Sequence, residues 1–186
     1  MPSYLVCCIA EIPVQVLNKL LTDALVARIQ HSPGNEGELV IVKADEDYDF
    51  VWKWPKKTAP PLDESFRPHV TASIAEASAR YTVGSYIAVL DQHSLVDETA
   101  VLVARGPGGG VTGTVRVTFA SILIVMVLLE NGTMDFSEVL SVGNSQGGGM
   151  YGRLTETPKK GSLFRKRNMG IDQDREAVGL QGRRRW

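Results

Sequence analysis

The stretch Tyr4-Leu5-Val6-Cys7-Cys8-Ile9-Ala10 is apolar at every position. A strand with one wet face alternates apolar and polar residues, so an unbroken apolar run of this length reads as a central strand covered on both faces. A helix follows it. From Pro13 to Gln30 the polar residues Gln15, Asn18, Lys19, Thr22 and Asp23 fall on one helical face, while Val14, Leu17, Leu20, Leu21, Ala24 and Leu25 fill the opposite one. Pro13 suits the first turn, where its missing N–H has no intrahelical partner, and His31-Ser32-Pro33-Gly34 supplies the breakers that end the helix. Leu39 to Val42 reads as a second short buried strand. Strand, helix, strand is the βαβ pattern, with a right-handed crossover if the two strands are parallel neighbours.

Working outward, Ala44 to Ser65 is a long connection carrying the acidic run Asp45-Glu46-Asp47-Tyr48-Asp49, then Trp52 and Trp54, then Pro55, Pro60 and Pro61. Connections of this length are seldom idle. Val70, Ile74, Ala77 and Tyr81 recur at helical spacing, with Glu76 and Arg80 in the favourable i, i+4 order, which predicts a helix over roughly 69–81. Tyr86 to Leu90 and Ala100 to Ala104 read as buried strands. In Thr114 to Phe119 the apolar Val115, Val117 and Phe119 alternate with Arg116 and Thr118, as on a strand nearer an edge. Ala120 to Leu129 fits a strand by its β-branched content and a buried helix by its length; periodicity does not separate them, and length favours the helix. Asp135-Phe136-Ser137-Glu138 has the spacing of a capping box, predicting a short helix over 136–142, and Gly147-Gly148-Gly149 leads into a last short strand at Met150 to Leu154. The expected fold class is α/β: one domain with a mixed, mostly buried sheet of about five to six strands flanked by helices.

The chain has 186 residues, 44% hydrophobic and 22% charged, with a formal net charge of −1. That balance excludes collagen-like, coiled-coil and wholly disordered chains. The near-neutral total is a cancellation. Residues 155–186 hold nine Lys or Arg and four Asp or Glu, a charge of +5, leaving 11 basic and 17 acidic residues, a charge of −6, in residues 1–154. The last 32 residues carry too few large apolar groups to build a core, so the expected division is a globular domain over 1–154 and a disordered basic tail over 155–186. No basic n-region or small-residue cleavage pattern accompanies the apolar stretch Leu5 to Ala10. The run Ala120 to Leu129 is about half of the ~20 residues needed to cross a bilayer as a helix. Together these predict a cytoplasmic protein with no membrane span, or a nuclear one in a eukaryote, where basic clusters serve import. Cys7 and Cys8 are adjacent and so point to opposite faces of a strand, which disfavours a bridge and offers no metal-ligand spacing.

Gly108-Gly109-Gly110-Val111-Thr112-Gly113 matches the dinucleotide fingerprint in letters, but it lies between two strand patterns instead of opening a helix, so no helix N-terminus faces a pyrophosphate. A hairpin loop is the better reading. Asp45, Asp47 and Asp49 alternate like the first ligands of an EF-hand, yet Lys56 stands where that loop requires a bidentate glutamate. His31, His69 and His93 lack the paired spacing of zinc sites. No metal or cofactor is expected. Asp91 and His93 end a buried strand, the position of an acid–base pair, though no Gly-x-Ser-x-Gly nucleophile elbow accompanies them. Trp52 and Trp54, two apart, share one side of an extended segment and suit an aromatic platform. In the tail, Lys159-Lys160, Arg165-Lys166-Arg167 and Arg183-Arg184-Arg185 form three basic clusters with only Phe164 and Trp186 as aromatic company.

Val42 to Asp49, then Ala88-Val89-Leu90-Asp91-Gln92-His93-Ser94-Leu95, then Thr133-Met134-Asp135-Phe136-Ser137-Glu138-Val139, ending in Gly149-Met150-Tyr151-Gly152-Arg153, resemble an uncharacterised family, a domain of unknown function of mainly actinobacterial and fungal hypothetical proteins. That family's pattern has an acidic Val-Asp-Asp-x-x-Tyr-Asp segment, an Ala-Asp-Arg-x-Thr-Leu segment and an Asn-Met-Asp-Phe-x-Glu-Phe segment in the same order. The resemblance spans roughly Tyr4 to Leu154, and Met134-Asp135-Phe136 with Glu138 is its most specific part. The chain departs from it at Leu123 to Leu129, apolar throughout where the family has a tryptophan and paired asparagines. It implies a compact cytoplasmic α/β domain and no catalytic assignment.

These residues predict a non-enzymatic protein-interaction module whose binding edge is the loop carrying Asp45, Asp47, Asp49, Trp52 and Trp54, with another protein as partner. The alternatives are a small hydrolase-like enzyme using Asp91 and His93, and nucleic-acid binding through Arg165, Lys166, Arg167, Arg183, Arg184 and Arg185. Composition sets no oligomeric state.

Overall fold

The N-terminal apolar run forms β1 (Ser3–Cys8), and it has a strand on either side. In the computed structural model, which describes residues 2–31, 37–44, 58–81, 84–145 and 150–151, β1 pairs in parallel with β2 (Glu38–Ile41), Val6 opposite Ile41, and with β3 (Tyr86–Leu90), Cys8 opposite Leu90. β4 (Thr99–Arg105) runs antiparallel to β3, β5 (Val111–Thr118) antiparallel to β4, and the two-residue β6 (Met150–Tyr151) pairs in parallel with β5. The order across the sheet is β2-β1-β3-β4-β5-β6. This is an α/β domain on a mixed sheet.

The expected helix after β1 is α1 (Val14–His31), which carries the chain back to the start of β2, as a parallel pair requires. The run left open between strand and helix is a helix, α4 (Phe119–Glu130), with nine of its 12 residues buried. A helix that is apolar all round belongs in a core, and since β5 is already paired on both sides, the run satisfies its backbone polar groups within itself. Among the described residues no helix is long and apolar enough to cross a membrane.

The strict alternation of side chains divides the core in two. Tyr4, Val6, Cys8, Leu39, Ile41, Ala88, Leu90, Leu102, Val115 and Val117 face α1 and α4 in one buried cluster. Leu5, Cys7, Val40, Val42, Ile87, Val89, Val101 and Val103 face the other way, against Ala77 and Tyr81 of the segment around α2 (Ile74–Arg80). Cys7 and Cys8 therefore sit in different clusters, both as free thiols.

Helix α2 is shorter than the expected 69–81. Ser73 Oγ accepts from Glu76 N at 3.2 Å while Glu76 Oε2 accepts from Ala72 N at 2.8 Å. The Ser73 N-cap starts the helix at Ile74, with Glu76 reaching back one residue beyond it, and Val70 instead bridges to Cys8 as extended chain. A one-turn α3 (Ser94–Asp97), which no periodicity announced, follows β3. Helix α5 (Phe136–Ser145) runs three residues past the expected end, and Glu138 Oε2 accepts from Asp135 N at 3.1 Å, one arm of the predicted capping box. Phe136 packs against Tyr86 with ring centroids 6.2 Å apart. The expected residues 152–154 of the last strand, the connection 45–57 and the tail 155–186 lie outside the described residues.

The Gly-rich loop joins β4 to β5 as a hairpin whose Pro107–Gly109 turn is 3₁₀. It docks on α2: Ser78 Oγ donates to Gly109 O. Gly108 and Gly109 both adopt positive φ, 80° and 81°. A Cβ on Gly109 would stand 2.9 Å from the Ser78 carbonyl oxygen, whereas one on Gly108 meets nothing within 4 Å. Gly108→Ala should therefore cost only the left-handed backbone penalty, about 1 kcal/mol, and Gly109→Ala about 1–3 kcal/mol more, because the clash is with backbone. Urea midpoints of the two variants measure this, and equal midpoints would show that the loop does not rest on α2.

Candidate functional site

Because β1, β2 and β3 are parallel, their carboxyl ends share one edge of the sheet. Two antiparallel steps bring the end of β5 and the start of β4 to the same edge. The chain leaves β1 towards β2 on one side and later enters β3 on the other, so the topological switch point, where open α/β sheets commonly bind ligands, lies here.

Both flanks of β1 are occupied at this edge. On the β3 side Ile9 N donates to Leu90 O at 2.9 Å. On the β2 side the segment Arg67–Thr71 inserts where the strands part: Ala44 N donates to Arg67 O (3.1 Å), His69 N to Val42 O (2.8 Å) and Thr71 N to Cys8 O (2.9 Å). Pro68, which bridges Lys43, has no N–H to leave unpaired at such an edge.

The inserted segment forms one wall of a cleft of about 450 Å³, with the β1–α1 turn as the other. Its lining is mainly apolar, from Ile12, Pro13, Phe66, Pro68 and Val70, and Glu11 and Arg67 supply opposite charges. Val70 is 44% exposed although apolar. Lys43 Nζ lies 5.5 Å from the centroid of the Phe66 ring, a cation–π contact. The chain leaves for residues 45–57 directly from Ala44, hydrogen-bonded to Arg67, and returns at Thr58, whose Oγ1 accepts from Ile41 N at 3.0 Å. The predicted binding residues Asp45, Asp47, Asp49, Trp52 and Trp54 fall outside the described residues, as do Arg165, Lys166, Arg167, Arg183, Arg184 and Arg185.

Asp91 and His93 both stand at the end of β3, but they are not joined. Asp91 forms a bidentate ion pair with Arg116, Oδ1 to Nη1 at 3.2 Å and Oδ2 to Nη2, and accepts from Ser94 N and Oγ, each at 3.1 Å. Burial alone would raise the pKa of Asp91; the Arg116 hydrogen bond and charge, with Ser94, outweigh it and hold the carboxyl below its usual value. Arg116 Nη1 also donates to Thr99 Oγ1 at 3.0 Å, and Thr99 Oγ1 donates to Asp97 at 2.6 Å. His93 is exposed and makes no capping hydrogen bond. A carboxylate so fully engaged serves as an anchor for the β3–α3 turn, and no Asp91–His93 acid–base pair forms among the described residues.

Arg116 is the residue that sequence reasoning passed over. Its only signal was a charged side chain on the polar face of a strand, and 25 residues separate it from Asp91. The histidines are likewise scattered: His31 ends α1, His93 precedes α3, and His69 Nδ1 meets Tyr81 Oη at 2.9 Å. Burial pushes the Tyr81 hydroxyl up to about 12, so it stays protonated. No three His, Cys, Asp or Glu side chains among the described residues are grouped to hold a metal ion.

Comparison of the chain with protein-family models, with curated proteins and with solved structures gives no match. The family resemblance drawn above thus rests on its short segments alone.

Proposed function

We propose that this chain is a protein-interaction module that binds through the carboxyl edge of its sheet, where the acidic, tryptophan-bearing connection after Ala44 leaves beside the cleft. The observation that carries the reading is the cleft itself: apolar, rimmed by single opposite charges, and including Val70 at 44% exposure. The engagement of Asp91 by Arg116 speaks for binding over hydrolysis, because the carboxylate needed for acid–base work is already neutralised. Asp45, Glu46, Asp47 and Asp49 follow Lys43-Ala44 in the chain, and Glu11 lines the cleft. That charge favours a partner segment presenting apolar side chains next to Lys or Arg, with an on-rate that falls as salt is added.

The test is quantitative capture of partners from lysate by the full chain. Val70→Glu and the double variant Trp52→Ala/Trp54→Ala should each reduce capture of the same proteins at least tenfold. Ile29→Glu, at a 58% exposed apolar site at the far end of α1, should leave it unchanged. Undiminished capture by the first two, or equal loss in all three, would overturn the assignment.

A further inference from the structure

Among the described residues the helices are divided unequally between the two faces of the sheet, although the apolar residues of both faces are buried. On one, α1 contributes buried Leu17, Leu20, Leu21, Ala24 and Ala27, and α4 contributes nine buried residues. On the other, α2 is the only helix among the described residues; it and its C-cap bring Ala77, Tyr81 and the half-buried Ile74 to the apolar cluster, while Ala75, Glu76, Ala79 and Arg80 are exposed. The hydrogen bonds of α2 to its described neighbours are local. Arg105 reaches across from β4 to donate to the carbonyls of Ser78, Tyr81 and Gly84; Ser78 Oγ donates to Gly109 O; and Tyr81 Oη meets His69. At the other end Thr71 is pinned to Cys8 O by its backbone N–H at 2.9 Å, a natural hinge.

We infer that α2 with its two caps, Ser73–Tyr81, lifts off the sheet about Thr71 as a unit while the α1/α4 face stays packed, exposing Cys7 and leaving Cys8 buried. Regions with few buried apolar contacts and short polar latches open at lower free energy than the core around them. The vicinal cysteines report the two faces separately, because successive residues of β1 point opposite ways: Cys7 lies in the cluster with Ala77 and Tyr81, and Cys8 in the cluster with Leu17 and Ile122. In the closed state neither thiol reacts. Burial pushes Cys7 up to about 12 despite the opposing Arg105 charge, and burial with the neighbouring Cys7 does the same for Cys8; the reactive species is the thiolate. Since the hinge adjoins Pro68 and Val70, the lift begins at one wall of the cleft.

The test labels full-length Cys8→Ala and Cys7→Ala variants with iodoacetamide under native conditions, each rate normalised to that of the urea-unfolded chain. Cys7 should react at least tenfold faster than Cys8 and be nearly independent of urea below the unfolding transition, while Cys8 rises with the global slope. Adding Ile122→Val, on the α4 face, should speed Cys8 labelling about fivefold and leave Cys7 within twofold, because that contact persists in the lifted state. If either alanine variant folds poorly, tandem mass spectrometry of the labelled parent chain assigns the site directly. A Cys7-to-Cys8 ratio below tenfold, or a shared urea slope, would overturn the inference.

Discussion

Replacing Phe119 by alanine is expected to lower the stability of the folded domain by about 4 kcal/mol. Phe119 is the largest of the fully buried side chains among the described residues, 1% exposed, and stands at the joint where β5 turns into α4. Its backbone N–H donates to Glu98 O at 2.9 Å, which fixes the entry of the helix, and its ring shares a buried cluster with Leu17, Leu20 and Ile122. Truncation removes the transfer free energy of the ring and leaves a void whose lining loses its contacts, since helices held on both sides relax only partly. The urea midpoint should fall at unchanged slope. A midpoint matching that of the parent would show that the α4 face is not the principal core.

Asp91→Ala is expected to cost about 2–3 kcal/mol. The side chains of Asp91 and Arg116 are only 17% and 21% exposed, which places their pair between exposed ion pairs, worth up to about 1 kcal/mol, and fully buried ones, whose disruption costs about 3–5 kcal/mol. The loss arises mostly from what is left behind, a guanidinium with Thr99 as its remaining neighbour in the network. Removing both partners in Asp91→Ala/Arg116→Met should therefore restore part of the stability. The effect also carries a pH signature. The folded pKa of Asp91 lies below its ordinary value of about 3.9, so the unfolded chain binds the proton more readily. The contribution is complete above about pH 4 and is lost as pH falls through the depressed folded value. Midpoints of the parent chain and Asp91→Asn should differ at pH 7 and converge in acid; a gap constant from pH 7 to pH 2 would mean that the charge pairing is not its source.

The α/β class was legible in the chain because its signals are local. The unbroken Tyr4 to Ala10 run, the amphipathic face of Val14 to Leu25 and the alternation of Val115 and Val117 each report burial through a fixed periodicity. Capping residues were legible for the same reason, as Asp135 and Glu138 show. Where signals compete locally the reading drifted. Val70 has helical spacing to Ile74 and Ala77, but Ser73 caps the helix after it, and Val70 serves as edge-bridging chain instead.

The site was legible only by position. That Asp91 and His93 close a strand follows from the residues around them. That Asp91 is taken by Arg116, and His93 left in solvent, depends on how three strands are registered side by side.

The sequence by itself determined where most of the strands and the long first helix lie, that both faces of β1 are covered, and that acidic and basic charge are separated along the chain, because these depend on neighbours within a few residues. Only the tertiary structure decided the strand order, the insertion of Arg67–Thr71 beside β1, the cleft it walls and the unequal division of the described helices between the two sheet faces. Those depend on contacts between residues tens of positions apart, which periodicity does not encode and only the packed sheet brings together.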